Sequence, residues 1–84
     1  MTAKEAFHLV QEKHKDARIT QFIDFDDSSF VLTVIEKGEE DKINAPYIRV
    51  NKSTGALSSF LPTLHLKEWV KAVQNRRIEV STLA

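Results

Sequence analysis

Apolar positions recur at helical spacing near the start of the chain. If each residue advances about 100° around a helix axis, six residues of segment 2–17 fall within an arc about 100° wide, the usual width of a buried stripe. These residues are Ala3, Ala6, Phe7, Val10, His14 and Ala17. Thr2 and Glu5 have the spacing of a capping box, in which each side chain bonds the backbone of the other residue. The pattern predicts an amphipathic helix that starts at Thr2.

From Arg18 the pattern changes to a period of two, which is typical of β-strands. Four strands are predicted, over residues 18–25, 30–35, 47–51 and 56–60. Turn-forming or polar residues lie between them, at 26–28, 36–44 and 51–55, where residue 51 both ends the third strand and begins the turn. The second strand is the most apolar and β-branched, so it is predicted at the centre of the sheet. The inward side of the first strand stays undecided, because both of its faces carry apolar residues.

A second helical repeat follows Pro62, which ends the sheet. Its apolar residues recur at i, i+3, i+4 and i+7, and they are Leu66, Trp69, Val70 and Val73. The predicted helix ends near residues 76–77, two arginines of the kind that a helix C-terminus favours. Residues 78–84 are predicted to form a flexible tail, although Ile78 and Val80 are suited to extending a sheet edge.

These elements predict one α+β domain over residues 1–84, with an ordered core at about 3–77. The order is α-β-β-β-β-α, an antiparallel meander of three to four strands between an N-terminal and a C-terminal helix. Packing of both helices on one face of the sheet is the expected arrangement.

Composition narrows the classes of function. The chain has 84 residues, 42% hydrophobic and 29% charged, as in ordinary globular domains. Twelve basic residues balance twelve acidic ones, so the cationic surplus that nucleic-acid binders and polybasic membrane patches require is missing. There is no cysteine, which excludes disulfides and thiolate chemistry. No apolar run resembles a signal or membrane-spanning segment, so a cytoplasmic protein is expected.

The ionisable residues do not form a catalytic pattern. His8 and His14 lie about 120° apart around the first helix, and His65 belongs to a distant segment, so no metal site is predicted. The acids of segment 24–27 lack the glycine and spacing of a calcium loop and are interpreted as turn formers. No serine lies in a nucleophile elbow, and no phosphate-binding glycine loop is present. We therefore expect no enzyme, no catalytic residue and no cofactor.

Two charged segments each have two interpretations. The acids of segment 36–41 are those of a solvated loop or of an acidic face for a basic protein partner. The second segment is the basic side of the last helix, and it is either an ordinary solvent-exposed face or an anion-binding contact. Its residues are Lys67, Lys71 and the arginines at 76–77. In both cases the solvated interpretation is preferred.

An interaction surface is predicted around Tyr47, Arg49 and Trp69, and it also includes Phe60 and Leu61. Ile48 and Val50 take the inward side of their strand, which leaves Tyr47 pointing outwards on a candidate edge strand. Aromatic residues are enriched at interface hot spots. Trp69 has a second interpretation as a core residue, because it belongs to the apolar repeat of the last helix.

Segment 44–57 resembles the strand–turn–strand of PepSY-like domains and of the related YrhB-type immunity domains. Pro46, the pair Val50-Asn51 and the pair Thr54-Gly55 carry this resemblance. Together with the strand residues Ile23-Asp24-Phe25, the same turn resembles small proteins of tailed phages and prophages of Gram-positive bacteria. The resemblance implies a helix before an antiparallel meander, and a small protein-binding or inhibitory module without a cofactor.

The leading hypothesis is a non-enzymatic protein-interaction module, immunity-like or phage-derived, that exists as a monomer or weak homodimer. Its expected partner is a protein, with neither nucleic acid nor membrane involved. The first alternative is a phage structural or assembly accessory that acts by self-association. An enzyme dependent on a small anion or a metal ranks next, and a nucleic-acid binder ranks last.

Overall fold

The described residues, 1–36 and 47–83, form two helices and one five-stranded antiparallel sheet in the computed structural model. The helices are α1 (Ala3–Lys13) and α2 (Leu66–Asn75). The strands are β1 (Arg18–Ile23), β2 (Ser29–Ile35), β3 (Tyr47–Asn51), β4 (Leu57–Ser59) and β5 (Arg77–Ile78). Short 3₁₀ turns, Pro62–His65 and Val80–Thr82, precede α2 and follow β5. The predicted α+β meander between two helices is confirmed, with β5 as an additional strand.

The capping box at the start of α1 is formed as predicted. The Glu5 amide donates to Thr2 Oγ1 at 3.2 Å, and the Thr2 amide donates to Glu5 Oε1 at 3.0 Å. The helix ends at Lys13, with His14 as its C-cap, so it is shorter than the segment 2–17 that carries the helical repeat. Beyond it, the Gln11 side-chain amide donates to the carbonyls of His14 and Ala17, which holds the turn into β1.

The sheet order is β4-β3-β2-β1-β5, so β2 is central, as its composition predicts. A bulge lies between Ile19 and Gln21 in the pairing of β1 with β2. Because a bulge shifts the alternation by one residue, Ile19 and Phe22 both pack in the cluster on the α1 side. The adjacent Ile23 points to the other side and is also fully buried. This resolves the undecided inward face of β1, since both of its faces are covered.

The two helices cover opposite faces of the sheet. One cluster joins Phe7 and Val10 of α1 to Phe22 of β1 and to alternate residues of β2. A second cluster joins Ala72 of α2 to Ile23 of β1 and to the other side of β2. The members of β2 on the α1 side are Phe30, Leu32 and Val34, and on the α2 side the cluster contains Val31.

The expectation that both helices pack on one face is therefore wrong. The β2 strand is buried at every position from Ser29 to Val34, so either face left open would expose apolar side chains to water. A strand that is apolar on both sides requires a covering layer on each side. One helix on each face satisfies this requirement.

The C-terminal residues are part of the fold, in contrast to the flexible tail predicted for 78–84. Ile78 pairs with Phe22 on β1, which adds β5 to the sheet edge. Leu83, only 6% exposed, packs in the cluster on the α1 side, and Val80 lies against the same cluster. The described part of this segment, 78–83, gains its order from apolar contacts with elements distant in sequence.

The turn between β3 and β4 has the predicted chemistry. Asn51 Oδ1 accepts from the amides of Ser53 and Thr54, and the Gly55 amide donates to the Asn51 carbonyl at 2.8 Å. Gly55 has φ of +74°, a conformation that residues with a side chain rarely adopt. The turn reverses the chain from β3 into β4, so β4 and not β3 forms the edge of the sheet.

Candidate interaction surface

Aromatic rings gather where α2 meets the sheet. The rings of Tyr47 and Trp69 make an edge-to-face contact with centroids 5.3 Å apart. Phe60 lies 5.5 Å from the Trp69 ring and stacks on His65 at the same distance. Phe25 approaches Phe60 at 5.0 Å. The cluster fixes α2 and the 3₁₀ turn before it against the sheet.

This cluster changes the interpretation of Tyr47 and Trp69. Tyr47 does not point freely outwards from an edge strand, because β3 lies between β2 and β4 and its outer face is covered by α2. Both residues are half-buried and pack against the second hydrophobic cluster. The interpretation of Trp69 as a residue that packs on the core is therefore supported.

The orientation of α2 leaves part of its apolar repeat in solvent. Trp69, Ala72 and Val73 face the sheet, and Ala72 is only 3% exposed. Leu66 and Val70, four residues apart on the next strip of the helix surface, are 60% and 46% exposed. The predicted stripe is thus divided between one side that packs and one side that does not.

Two more exposed apolar residues lie in the turn before the helix. Leu61 and Leu64, which are joined by a backbone hydrogen bond of 3.1 Å, are 59% and 73% exposed. We use the term apolar ridge for Leu61, Leu64, Leu66 and Val70. Apart from Met1, these four are the exposed large hydrophobic residues in the described part of the chain. Single exposed apolar residues are ordinary, whereas these four lie within ten consecutive residues.

Positive charge borders the ridge. Lys67 and Lys71 directly follow Leu66 and Val70 in sequence, about 100° further around the helix. Both lysines are exposed. One long flank of the ridge is therefore basic.

Arg49 lies on the same sheet face as Tyr47 but is engaged with its neighbours. Its Nε donates to Ser29 Oγ at 3.0 Å, and its guanidinium is 3.5 Å from Asp26 Oδ2. The guanidinium carbon also lies 5.9 Å from the centre of the Phe25 ring. A shallow depression of about 270 Å³ adjoins it and is lined by Ser28, Arg49, Asn51, Ala56 and Ser58. These contacts give Arg49 a role in holding the turn after β1.

Asp26 is the acceptor at the centre of that turn, as its predicted role as a turn former requires. Its Oδ1 accepts from the Ser28 amide and from the hydroxyls of Ser28 and Ser29, each at 2.9 Å. Burial would by itself raise the pKa of Asp26, but these hydrogen bonds favour the charged form and together lower the pKa. The carboxylate is therefore a structural anion.

Two further groups of charged side chains are paired at separate places. Asp24 accepts from Lys52 Nζ at 2.6 Å and lies 3.4 Å from the Arg76 guanidinium, which ties two turns to the end of α2. His14 Nδ1 is 2.7 Å from Glu36 Oε1, which joins the end of α1 to the end of β2. Within residues 1–36 and 47–83, no three metal-binding side chains converge. No helix of the described chain is long and apolar enough to cross a bilayer.

The structure brings the three predicted interaction residues to one face of the sheet. Tyr47 and Arg49 alternate on β3, and Trp69 of α2 contacts the Tyr47 ring. The ridge beside them is the feature that sequence reasoning missed, except for Leu61, which belongs to the surface suspected around Tyr47 and Trp69. A signal existed: apolar residues 66, 69, 70, 72 and 73 span about 160° of helix, more than one buried stripe occupies.

The acidic segment 36–41 lies outside the described residues, apart from Glu36.

Comparison with protein-family models, with curated proteins and with solved structures finds no match for this chain.

Proposed function

We propose that this protein is a non-enzymatic protein-interaction module that docks its partner on the apolar ridge. The supporting observation is the concentration of exposed Leu and Val side chains on α2 and the turn before it. The side chains beneath it are fixed by the aromatic cluster, so the docking surface is largely formed before a partner arrives. A preformed surface lowers the entropic cost of binding. The resemblance of segment 44–57 to immunity-type domains supports the same class of function.

The size of the ridge sets the expected strength of binding. Fully burying one Leu or Val side chain contributes about 1.5–3 kcal/mol, and the four residues of the ridge are already partly covered. Association costs at least about 4 kcal/mol in lost translational and rotational freedom. The ridge alone therefore supports a transient complex, and tight binding requires further contacts around its border.

A cytoplasmic location stays a prediction from the sequence.

Site-specific photo-crosslinking in the native cells tests the proposal. A benzophenone amino acid is placed at Val70 on the ridge and, as a control, at the exposed Glu12 of α1 on the other side of the sheet. We expect a discrete protein adduct from position 70 that is absent from position 12 and is lost when Leu66→Ser is added. Identical adducts from both positions, or none from position 70, would overturn the proposal. An adduct of two copies of the chain would favour the self-associating alternative.

A further inference from the structure

The charge of the chain is unevenly distributed, although its total is zero. Segment 61–77 contains four basic residues and one acidic residue, Glu68, a net charge of +3. The remaining eight basic and eleven acidic residues give the rest of the chain a net charge of −3. The apolar ridge therefore lies in the segment that carries the surplus of basic residues.

The position of two of these charges is specific to the ridge. Lys67 and Lys71 are four residues apart and follow the ridge along one side of α2. Arg76, by contrast, lies 3.4 Å from Asp24 and belongs to the fold. The two lysines are where a partner covering Leu66 and Val70 would have its border.

We infer that the partner presents an amphipathic helix whose apolar side covers the ridge and whose flank carries acidic residues opposite Lys67 and Lys71. The inference rests on the proposed function. Apolar residues at i and i+4 on α2 match the spacing at which a second helix places its own apolar side chains. Opposite charges along the border add specificity and speed of association.

A second copy of this chain that packs its α2 helix antiparallel to the first fits the same surface less well. If two α2 helices pack antiparallel about a two-fold axis, each flank meets the same flank of its neighbour. Lys67 and Lys71 would then face the lysines of the other copy, and like charges in that position are repulsive. A partner with the opposite flank charge removes this conflict.

An anionic membrane surface is also disfavoured. Membrane recognition by charge typically uses clusters of about four to eight basic residues, whereas two lysines border the ridge. Trp69, the residue of α2 most suited to a bilayer interface, is engaged with Tyr47 and Phe60 instead. The observations therefore favour a protein helix.

Two designed peptides of about 18 residues, long enough to form a helix, test the inference by fluorescence anisotropy. Both have the same leucine stripe, and their flanks carry glutamate in one and lysine in the other. We expect the glutamate peptide to bind about tenfold more tightly at low salt. The Lys67→Glu/Lys71→Glu variant should lose this preference. The matched control Lys4→Glu/Lys15→Glu, which has the same net charge on exposed sites of the chain's N-terminal region, should retain it.

The outcomes separate the inference from the proposed function. Equal binding of both peptides that is lost in Leu66→Ser/Val70→Ser would overturn the acidic partner and leave the interaction module intact. Binding to phosphatidylserine vesicles but to neither peptide would overturn the inference in favour of a membrane. A concentration-dependent dimer that Leu66→Ser/Val70→Ser abolishes would overturn it in favour of a second copy. Failure of the peptides together with absence of the Val70 crosslink would overturn both.

Discussion

The rings of Tyr47 and Trp69 meet almost at right angles, with an interplanar angle of 80° and centroids 5.3 Å apart. The contact joins the first residue of β3 to the middle of α2. Edge-to-face aromatic pairs contribute about 0.5–1.5 kcal/mol beyond the area that they bury. This pair is therefore one of the anchors that hold the ridge-bearing helix on the sheet.

Trp69→Ala is expected to lower the free energy of unfolding by about 2–3 kcal/mol, less than full burial would give because the indole is half-buried. A double-mutant cycle with Tyr47→Ala should give a coupling of about 0.5–1.5 kcal/mol. Urea unfolding followed by circular dichroism measures both quantities. Leu66→Ala, on the exposed side of the same helix, should change stability by less than about 0.5 kcal/mol. Zero coupling would contradict the aromatic anchor.

Ala72 of α2 is almost fully buried in the hydrophobic cluster between this helix and the sheet. Its replacement by leucine places a large side chain against a packed cluster, and overpacking of this kind costs about 1–3 kcal/mol. We expect Ala72→Leu to lower the midpoint of thermal unfolding. Val70→Leu adds volume on the solvent side of the helix and serves as the control, with a change below about 0.5 kcal/mol. Equal effects at both positions would show that the helix is rotated differently.

The lowered pKa of Asp26 makes part of the stability depend on pH. A carboxylate with a lower pKa in the folded state adds stability that is present above its unfolded pKa and is lost as pH falls through its folded pKa. Asp26→Asn keeps Oδ1 as an acceptor but removes the charge. At pH 7 this substitution should lower the free energy of unfolding by about 0.5–1 kcal/mol. The expected effect is small because the carboxylate is partly exposed and solvent screens its charge.

At acidic pH the cost of Asp26→Asn should shrink. The Asp26 carboxylate is then increasingly protonated, so it loses the charge that the substitution removes. Urea unfolding at pH 7 and pH 3 measures the difference, with Asp27→Asn as the control because Asp27 is an exposed neighbour in the same turn. A cost that is equal at both pH values would exclude the charge of Asp26 as its origin.

Leu83 tests whether the C-terminal residues belong to the core. Leu83→Ala removes a buried side chain from the cluster on the α1 side, and we expect a loss of about 2–3 kcal/mol in the free energy of unfolding. Ser81→Ala, at an exposed position of the same turn, should be close to neutral. Chemical denaturation of the two variants, monitored by Trp69 fluorescence, makes the comparison. If Leu83→Ala is also neutral, the segment is the flexible tail that its sequence suggested.

The elements of this fold follow from local patterns, but their arrangement does not. A capping box and a stripe predicted α1, and an almost unbroken apolar run predicted the central position of β2. The same run contained the information that was overlooked, because apolar residues at both odd and even positions require cover on both faces. The order of residues 78–83 depends on a free edge at β1, which no local pattern specifies.

The candidate site was predictable to the same degree. The common face of Tyr47 and Arg49 follows from the period of a strand. The contact of Tyr47 with Trp69 depends on where α2 crosses the sheet, and the exposure of Leu66 and Val70 depends on its rotation. That rotation is determined by close packing around Ala72, a tertiary property. The sequence therefore indicated which residues of α2 are apolar. It could not indicate which of them the sheet covers and which remain exposed to solvent.

Because β2 contributes alternate side chains to both hydrophobic clusters, the two helical layers share a single structural support. Loss of either helix would uncover one side of that strand and weaken the platform of the other. Unfolding is then expected to be one cooperative event, and a partner that bound α2 as proposed would stabilise the fold as far away as α1.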